Sequence, residues 1–161
     1  MNQDQALREH LLYLLNGGGA HVDFEQVVAD FPVEKAHQRI ESLPYTAWAV
    51  LEHMRIAQWD ILEFSRNAEH VSPKWPEGYW PAGDVEPGAA EWQESVEGFR
   101  ADLKEMKALV ADAETDLFAA IPHGEGQTIL REALLVADHN AYHLGVLVTM
   151  KRILAEEQPA D

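Results

Sequence analysis

The feature that most constrains the fold is a long apolar segment near the C-terminus, Ala133 to Ile153, with no proline and a single glycine. Proline and glycine are the residues least compatible with a helix interior, so we predict one continuous helix from about Thr128 to about Ala155. On a helical wheel, apolar residues occupy two opposite faces of this segment and leave only a narrow polar strip. A helix of this kind must be covered on both sides, by a bundle of helices or by a partner subunit.

Three further segments have the apolar periodicity of bundle helices. Residues 3–16 carry a leucine stripe that ends at three consecutive glycines, and these suit a helix terminus. A second long helix is predicted from Thr46, as its N-cap, to about Arg66. A third is predicted from about Ala90 to Asp112, where apolar residues alternate by four and three. The pattern indicates an all-α four-helix bundle.

The segments between these helices are shorter or irregular. Asp23 is a predicted N-cap, with a glutamine three residues on, and opens a short helix to about Asp30. Residues 33–44 remain open between a short helix and irregular chain. Residues 67–90 form a long proline-rich loop whose aromatic cluster, Trp75 to Trp80, is predicted to fold over the bundle. The chain, residues 1–161, is predicted to be one domain.

Charge and cysteine content exclude several classes of function. Asp and Glu number 28 against 12 Lys and Arg, which gives a formal charge of −16 and argues against nucleic-acid or membrane-surface partners. The absence of cysteine excludes disulfides, thiolate metal sites and a cysteine nucleophile. The first residues lack the basic and apolar regions of a secretory signal, and no uncharged apolar stretch reaches membrane-spanning length. We therefore expect a cytoplasmic protein.

Two histidines in the long apolar segment are the first candidate site residues. His139 and His143 are four residues apart, so on a helix both rings lie on one stripe, one turn apart, and can share a metal ion. His53 lies on another long helix, where Ala49 and Ala57 leave room around its ring. Three histidines with one open position suit a catalytic-type zinc or nickel site. The alternative is that each is a hydrogen-bonded core histidine.

The surrounding sequence resembles a known family. The segments LEHMRIAQWDILEF (Leu51 to Phe64) and LREALLVADHNAYHLG (Leu130 to Gly145) resemble the DinB/YfiT-like superfamily. Its members are four-helix bundles that hold a divalent metal with one histidine on the second long helix and an HxxxH pair on the last. The resemblance implies His53, His139 and His143 as the ligands.

The resemblance also implies an activity. Some relatives are S-transferases that use low-molecular-weight thiols, so it implies a metal-dependent hydrolase or a thiol-dependent transferase acting on a small molecule. Many relatives have Gly-Gln after the final histidine, where this chain has Gly145-Val146, so any role of that glutamine is lost here.

Two carboxylates lie on the histidine-bearing stripes. Asp60 and Glu132 are each two turns from a histidine, and either can orient a ligand ring or act as a general base. The alternative is that they are solvated or paired with Arg55 or Arg131.

Other functional readings remain open at the level of sequence. The protein is either an enzyme of the class above, a metal-containing binding or structural protein, or an interaction module without metal. The second apolar face of the last helix predicts a homodimer. The Trp75 to Trp80 cluster either walls a substrate pocket or plugs the bundle, and His21 and His123 have no assigned role.

Overall fold

The computed structural model describes residues 2–82 and 88–156, and in them every regular element is helical. The structure contains five α-helices: α1 (Gln3–Leu15), α2 (Phe24–Ala29), α3 (Ala47–Arg66), α4 (Ala89–Ala111) and α5 (Ile129–Glu156). Helix α3 packs between α4 and α5, and α1 contacts both α4 and α5, so these four helices form the bundle. The predicted all-α bundle is confirmed. Residues 83–87, in the loop between α3 and α4, lie outside the described residues.

The helix ends follow local sequence signals. The Thr46 hydroxyl accepts a hydrogen bond from the third residue of α3, and Asp23 forms a capping box with Gln26, as predicted. Helix α1 ends at Leu15, and after the cap residue Asn16 come Gly17, Gly18 and Gly19, with φ angles of 98°, 64° and 70°. These angles are unfavourable for residues with a Cβ, so the three glycines allow the chain to leave the helical conformation after α1. Residues 33–44, left open above, contain only a short 3₁₀ turn, Val33–Lys35.

A polar contact crosses the centre of the bundle. The Gln58 side chain is 1% exposed, and its amide nitrogen donates to the carbonyl oxygen of Phe99 at 2.7 Å. Its oxygen accepts from the Asn140 amide at 2.8 Å. Because these three residues lie on α3, α4 and α5, the contact fixes the three helices against one another.

The two apolar faces of α5 are covered mainly by the same chain. On the second face Ala137 and Leu144 are buried, whereas Leu134 is 45% exposed. Helix α5 contacts α1 and α2 in addition to α3 and α4. A partner subunit is therefore not needed to bury Ala137 or Leu144, and the homodimer stays a prediction. Among the described residues, none of the helices has the length and hydropathy needed to span a bilayer.

A buried arginine joins α1 to the end of α4. Arg8 donates to the carbonyl oxygens of Val110 and Asp112, both at 2.8 Å, and to that of Thr115 at 2.7 Å. Carbonyls at a helix C-terminus have no intrahelical partner, so the guanidinium satisfies them and favours the negative end of the α4 dipole.

Candidate metal centre

The three histidines singled out from the sequence lie together between α3 and α5. One ring nitrogen from each of His53, His139 and His143 lies within 4.8 Å of those of the other two. The Nε2 atoms of His53 and His139 are 3.1 Å apart. A tetrahedral ion with bonds of about 2.0–2.1 Å holds its ligand nitrogens about 3.3 Å apart, so the spacing suits one shared ion.

The fold explains why three distant residues meet. Helices α3 and α5 pack side by side along much of their length. The HxxxH spacing places His139 and His143 one turn apart on α5, and His53 approaches them from α3. His53 on α3 is 4% exposed, whereas His139 and His143 on α5 are half-buried. Solvent therefore reaches the cluster mainly at the two α5 histidines.

One hydrogen bond sets the tautomer of His53. Its Nδ1 lies 2.8 Å from the main-chain oxygen of Tyr79. A carbonyl oxygen only accepts, so Nδ1 carries the proton and donates. In the neutral ring the lone pair then lies on Nε2, the atom that faces His139. This is the arrangement in which a histidine ligand donates its second nitrogen to an outer carbonyl.

The protonation states also suit ligation. Burial lowers the pKa of both His139 and His143 to about 4. The next cause is the proximity of His53 for His139, and of His139 and His53 for His143. Burial lowers the pKa of His53 as well, against the opposing effect of its bond to Tyr79. All three rings are therefore neutral near pH 7. Three neutral imidazoles form a donor set that suits zinc, nickel and similar ions and does not suit magnesium or calcium.

Aromatic rings form one wall of the site. Trp80 stacks on His53 with centroids 4.1 Å apart and planes at 5°, and Tyr45 stacks on the other face of Trp80 at 3.9 Å. Tyr142 lies edge-on to His143 at 4.8 Å. Tyr45 and Tyr142 are 43% and 71% exposed, so both belong to the solvent-facing edge of the site.

The two candidate carboxylates hydrogen-bond to residues outside the cluster. Asp60 is 7% exposed and binds the His70 ring and the Tyr79 hydroxyl. Glu132 is 2% exposed and pairs with Arg131 at 2.7 Å. Glu132 therefore has Arg131 as its partner, the alternative to a role at the metal that the sequence leaves open.

Several residues of the site carry no sequence signal that could have identified them. Tyr79 and Trp80 belong to the predicted aromatic cluster Trp75 to Trp80, and no sequence pattern links His70 to α3. Their contacts with α3 depend on the path of residues 67–82 back along that helix, and the periodicity of the sequence does not predict this path. Among the other histidines, His123 binds the main-chain oxygen of Phe64 at 2.7 Å, and neither it nor His21 belongs to the cluster.

A separate cavity of about 290 Å³ lies where α1 ends and α2 begins. Its walls include Phe24, Phe99, Leu103 and Leu144, together with Asn140 from α5. None of the three clustered histidines lines it, so the cavity and the histidine site are distinct.

Comparison with known proteins identifies a family. A family model described as the DinB superfamily matches residues 19–147, most of the chain. The matched range contains all three clustered histidines. No curated protein and no solved structure matches the chain.

Proposed function

Because this chain belongs to the DinB superfamily, we propose that it is a metal-dependent enzyme acting on a small molecule. The proposed ligands are His53, His139 and His143, and the proposed ion is zinc or nickel. The reaction is either S-transfer with a low-molecular-weight thiol or hydrolysis.

The observation that carries the proposal is the convergence of one ring nitrogen from each of three histidines, which lie on two helices. The Nε2 atoms of His53 and His139 face each other at 3.1 Å, and the His53 lone pair lies at that contact. A structural zinc site usually has four protein ligands. The group found here has three, within the part of the chain that the structure describes, which favours a site with an open position.

A divalent ion held by His53, His139 and His143 would supply Lewis-acid chemistry, which would ease the loss of a proton from a thiol or water. The protein's own residues fix the ligands and shape the approach. Trp80 covers one face of the His53 ring and keeps water from it. Tyr142, which is exposed and lies edge-on to His143, is placed to contact a substrate.

The surroundings of the site favour the thiol reaction over hydrolysis. Within residues 2–82 and 88–156 no carboxylate hydrogen-bonds to a histidine of the cluster, and Asp60 and Glu132 have other partners. A thiol has an ordinary pKa of about 8.5 and water about 15.7, so a thiol depends less on a protein base. The chain has no cysteine, so the thiol must come from a cosubstrate.

Metal content and activity test the proposal together. Protein purified without a histidine tag should contain close to one equivalent of zinc or nickel, and His139→Ala should contain little. His37→Ala removes an exposed histidine outside the cluster and should retain the metal. Loaded protein is then assayed with electrophilic small molecules in the presence and absence of low-molecular-weight thiols.

Thiol-dependent turnover that His139→Ala loses supports the S-transferase, and turnover without thiol supports the hydrolase. Metal binding with no turnover in either assay would support a non-catalytic metal protein. A wild-type chain that binds neither ion would contradict the metal site itself.

A further inference from the structure

The buried carboxylate of Asp60, two helical turns from His53 on α3, is hydrogen-bonded by two residues of one segment. The segment is residues 67–82, which follow α3 and turn back along it. Oδ1 of Asp60 lies 2.8 Å from Nε2 of His70, and Oδ2 accepts from the Tyr79 hydroxyl at 2.6 Å. The side chains of Asp60 and His70 are only 10% and 6% exposed. A carboxylate this buried is stable only with hydrogen-bond donors, so the contact anchors both ends of the segment to α3.

The same segment reaches the metal centre. The main-chain oxygen of Tyr79 accepts the proton on Nδ1 of His53 at 2.8 Å, and the next residue, Trp80, stacks on the same ring. Tyr79 therefore contacts α3 twice, at Asp60 through its hydroxyl and at His53 through its carbonyl. Asp60 and His53 are seven residues apart on α3, a rise of about 10 Å.

The Tyr79 hydroxyl is a dependable donor. Burial, followed by its bond to Asp60, raises the pKa of Tyr79 to about 12, so the hydroxyl stays protonated at neutral pH. Asp60 itself has both oxygens engaged and lies two turns from the histidine on its helix, so it is not placed to touch a substrate. Its connection to the site runs through Tyr79.

We propose that Asp60 is a positioning residue for the metal ligand His53, acting through Tyr79. By fixing the Tyr79 side chain, Asp60 fixes the carbonyl that keeps the His53 proton on Nδ1 and the lone pair on Nε2. Without that anchor the carbonyl moves, and His53 exchanges between its two tautomers, one of which has no lone pair on Nε2. The proposal rests on the proposed metal site, but its first step is measurable without metal.

Two small substitutions test the route. Asp60→Asn keeps the shape but replaces one of the two acceptor oxygens with an amide NH₂, and Tyr79→Phe removes the hydroxyl while keeping the carbonyl. Each should weaken zinc binding about tenfold, measured by calorimetry on metal-free protein. The double variant should be no weaker than the weaker single variant, because both changes break one connection. Glu69→Gln, an exposed carboxylate change in the same segment, should bind zinc like the wild type.

The second readout is the His53 tautomer, from imidazole ¹⁵N chemical shifts in metal-free protein. Wild type should show one tautomer with the proton on Nδ1, and both variants should show a mixture. Helical circular dichroism establishes that each variant is folded. If Asp60→Asn does not fold, Tyr79→Phe decides alone, since it removes one hydroxyl.

The possible outcomes separate this proposal from the metal site. Folded variants with wild-type zinc affinity and wild-type tautomer would overturn it. Weaker zinc binding with an unchanged tautomer would overturn the route through Tyr79. If wild type binds no zinc, the proposed function fails, and the tautomer measurement still supports or overturns the role of Asp60.

Discussion

Zinc should stabilise the folded chain by an amount that can be worked out from linkage. The ligands lie on α3 and α5, with His53 and His139 separated by 86 positions, so the complete site exists only in the folded bundle. A ligand that binds only the folded state at one hundred times its Kd adds about 2.7 kcal/mol. For a chain of 161 residues, at about 2–4 °C per kcal/mol, the Tm should rise by about 5–11 °C.

The assay is thermal unfolding of chelator-treated protein followed by circular dichroism, with and without zinc. His139→Ala removes one of three ligands and should abolish most of the rise. His37→Ala, exposed and outside the cluster, should show the full rise. An unchanged wild-type Tm at saturating zinc, or an equal rise in His139→Ala, would refute the inference that these rings form one site.

Three further predictions follow from the packing. Arg8→Ala leaves three main-chain oxygens without their donor and should lower the free energy of unfolding by about 3 kcal/mol in chemical denaturation. Zinc affinity at 25 °C should not change. A loss of unfolding free energy below about 0.5 kcal/mol would contradict the capping role. Gln58→Leu breaks the contact among α3, α4 and α5 and should cost about 1–3 kcal/mol, whereas equal or greater stability would mean that the contact contributes nothing net. Trp80→Ala removes the ring stacked on His53, so calorimetry should show weaker zinc binding with the helical content retained, and an unchanged Kd would show that the stack does not hold the ligand.

The helices and the histidine pair were accessible from sequence because their signals are local. Capping by Thr46 and Asp23 depends on residues three positions away, and helical periodicity repeats within a few residues. The same rule places His139 and His143 on one stripe. His53, the third histidine, is predicted from its position between Ala49 and Ala57 and from the family resemblance. The structure places it beside the pair.

The roles of the two carboxylates were not accessible in the same way. The wheel placed Asp60 and Glu132 on the histidine-bearing stripes, but a wheel reports direction and not partners. Glu132 pairs with its sequence neighbour Arg131, while Asp60 binds residues ten and nineteen positions away. Only the tertiary structure distinguishes the surroundings of Asp60 from those of Glu132.

By itself, the sequence determined that this chain forms long amphipathic helices and that two histidines share one helical stripe, because both follow from the regular geometry of the helix. Only the tertiary structure decided what surrounds the third ligand. The carbonyl of Tyr79 and the ring of Trp80 reach His53 because residues 67–82 turn back along α3 and are held at Asp60. That path depends on contacts between residues far apart in the chain, and a main-chain carbonyl has the same chemistry at every position.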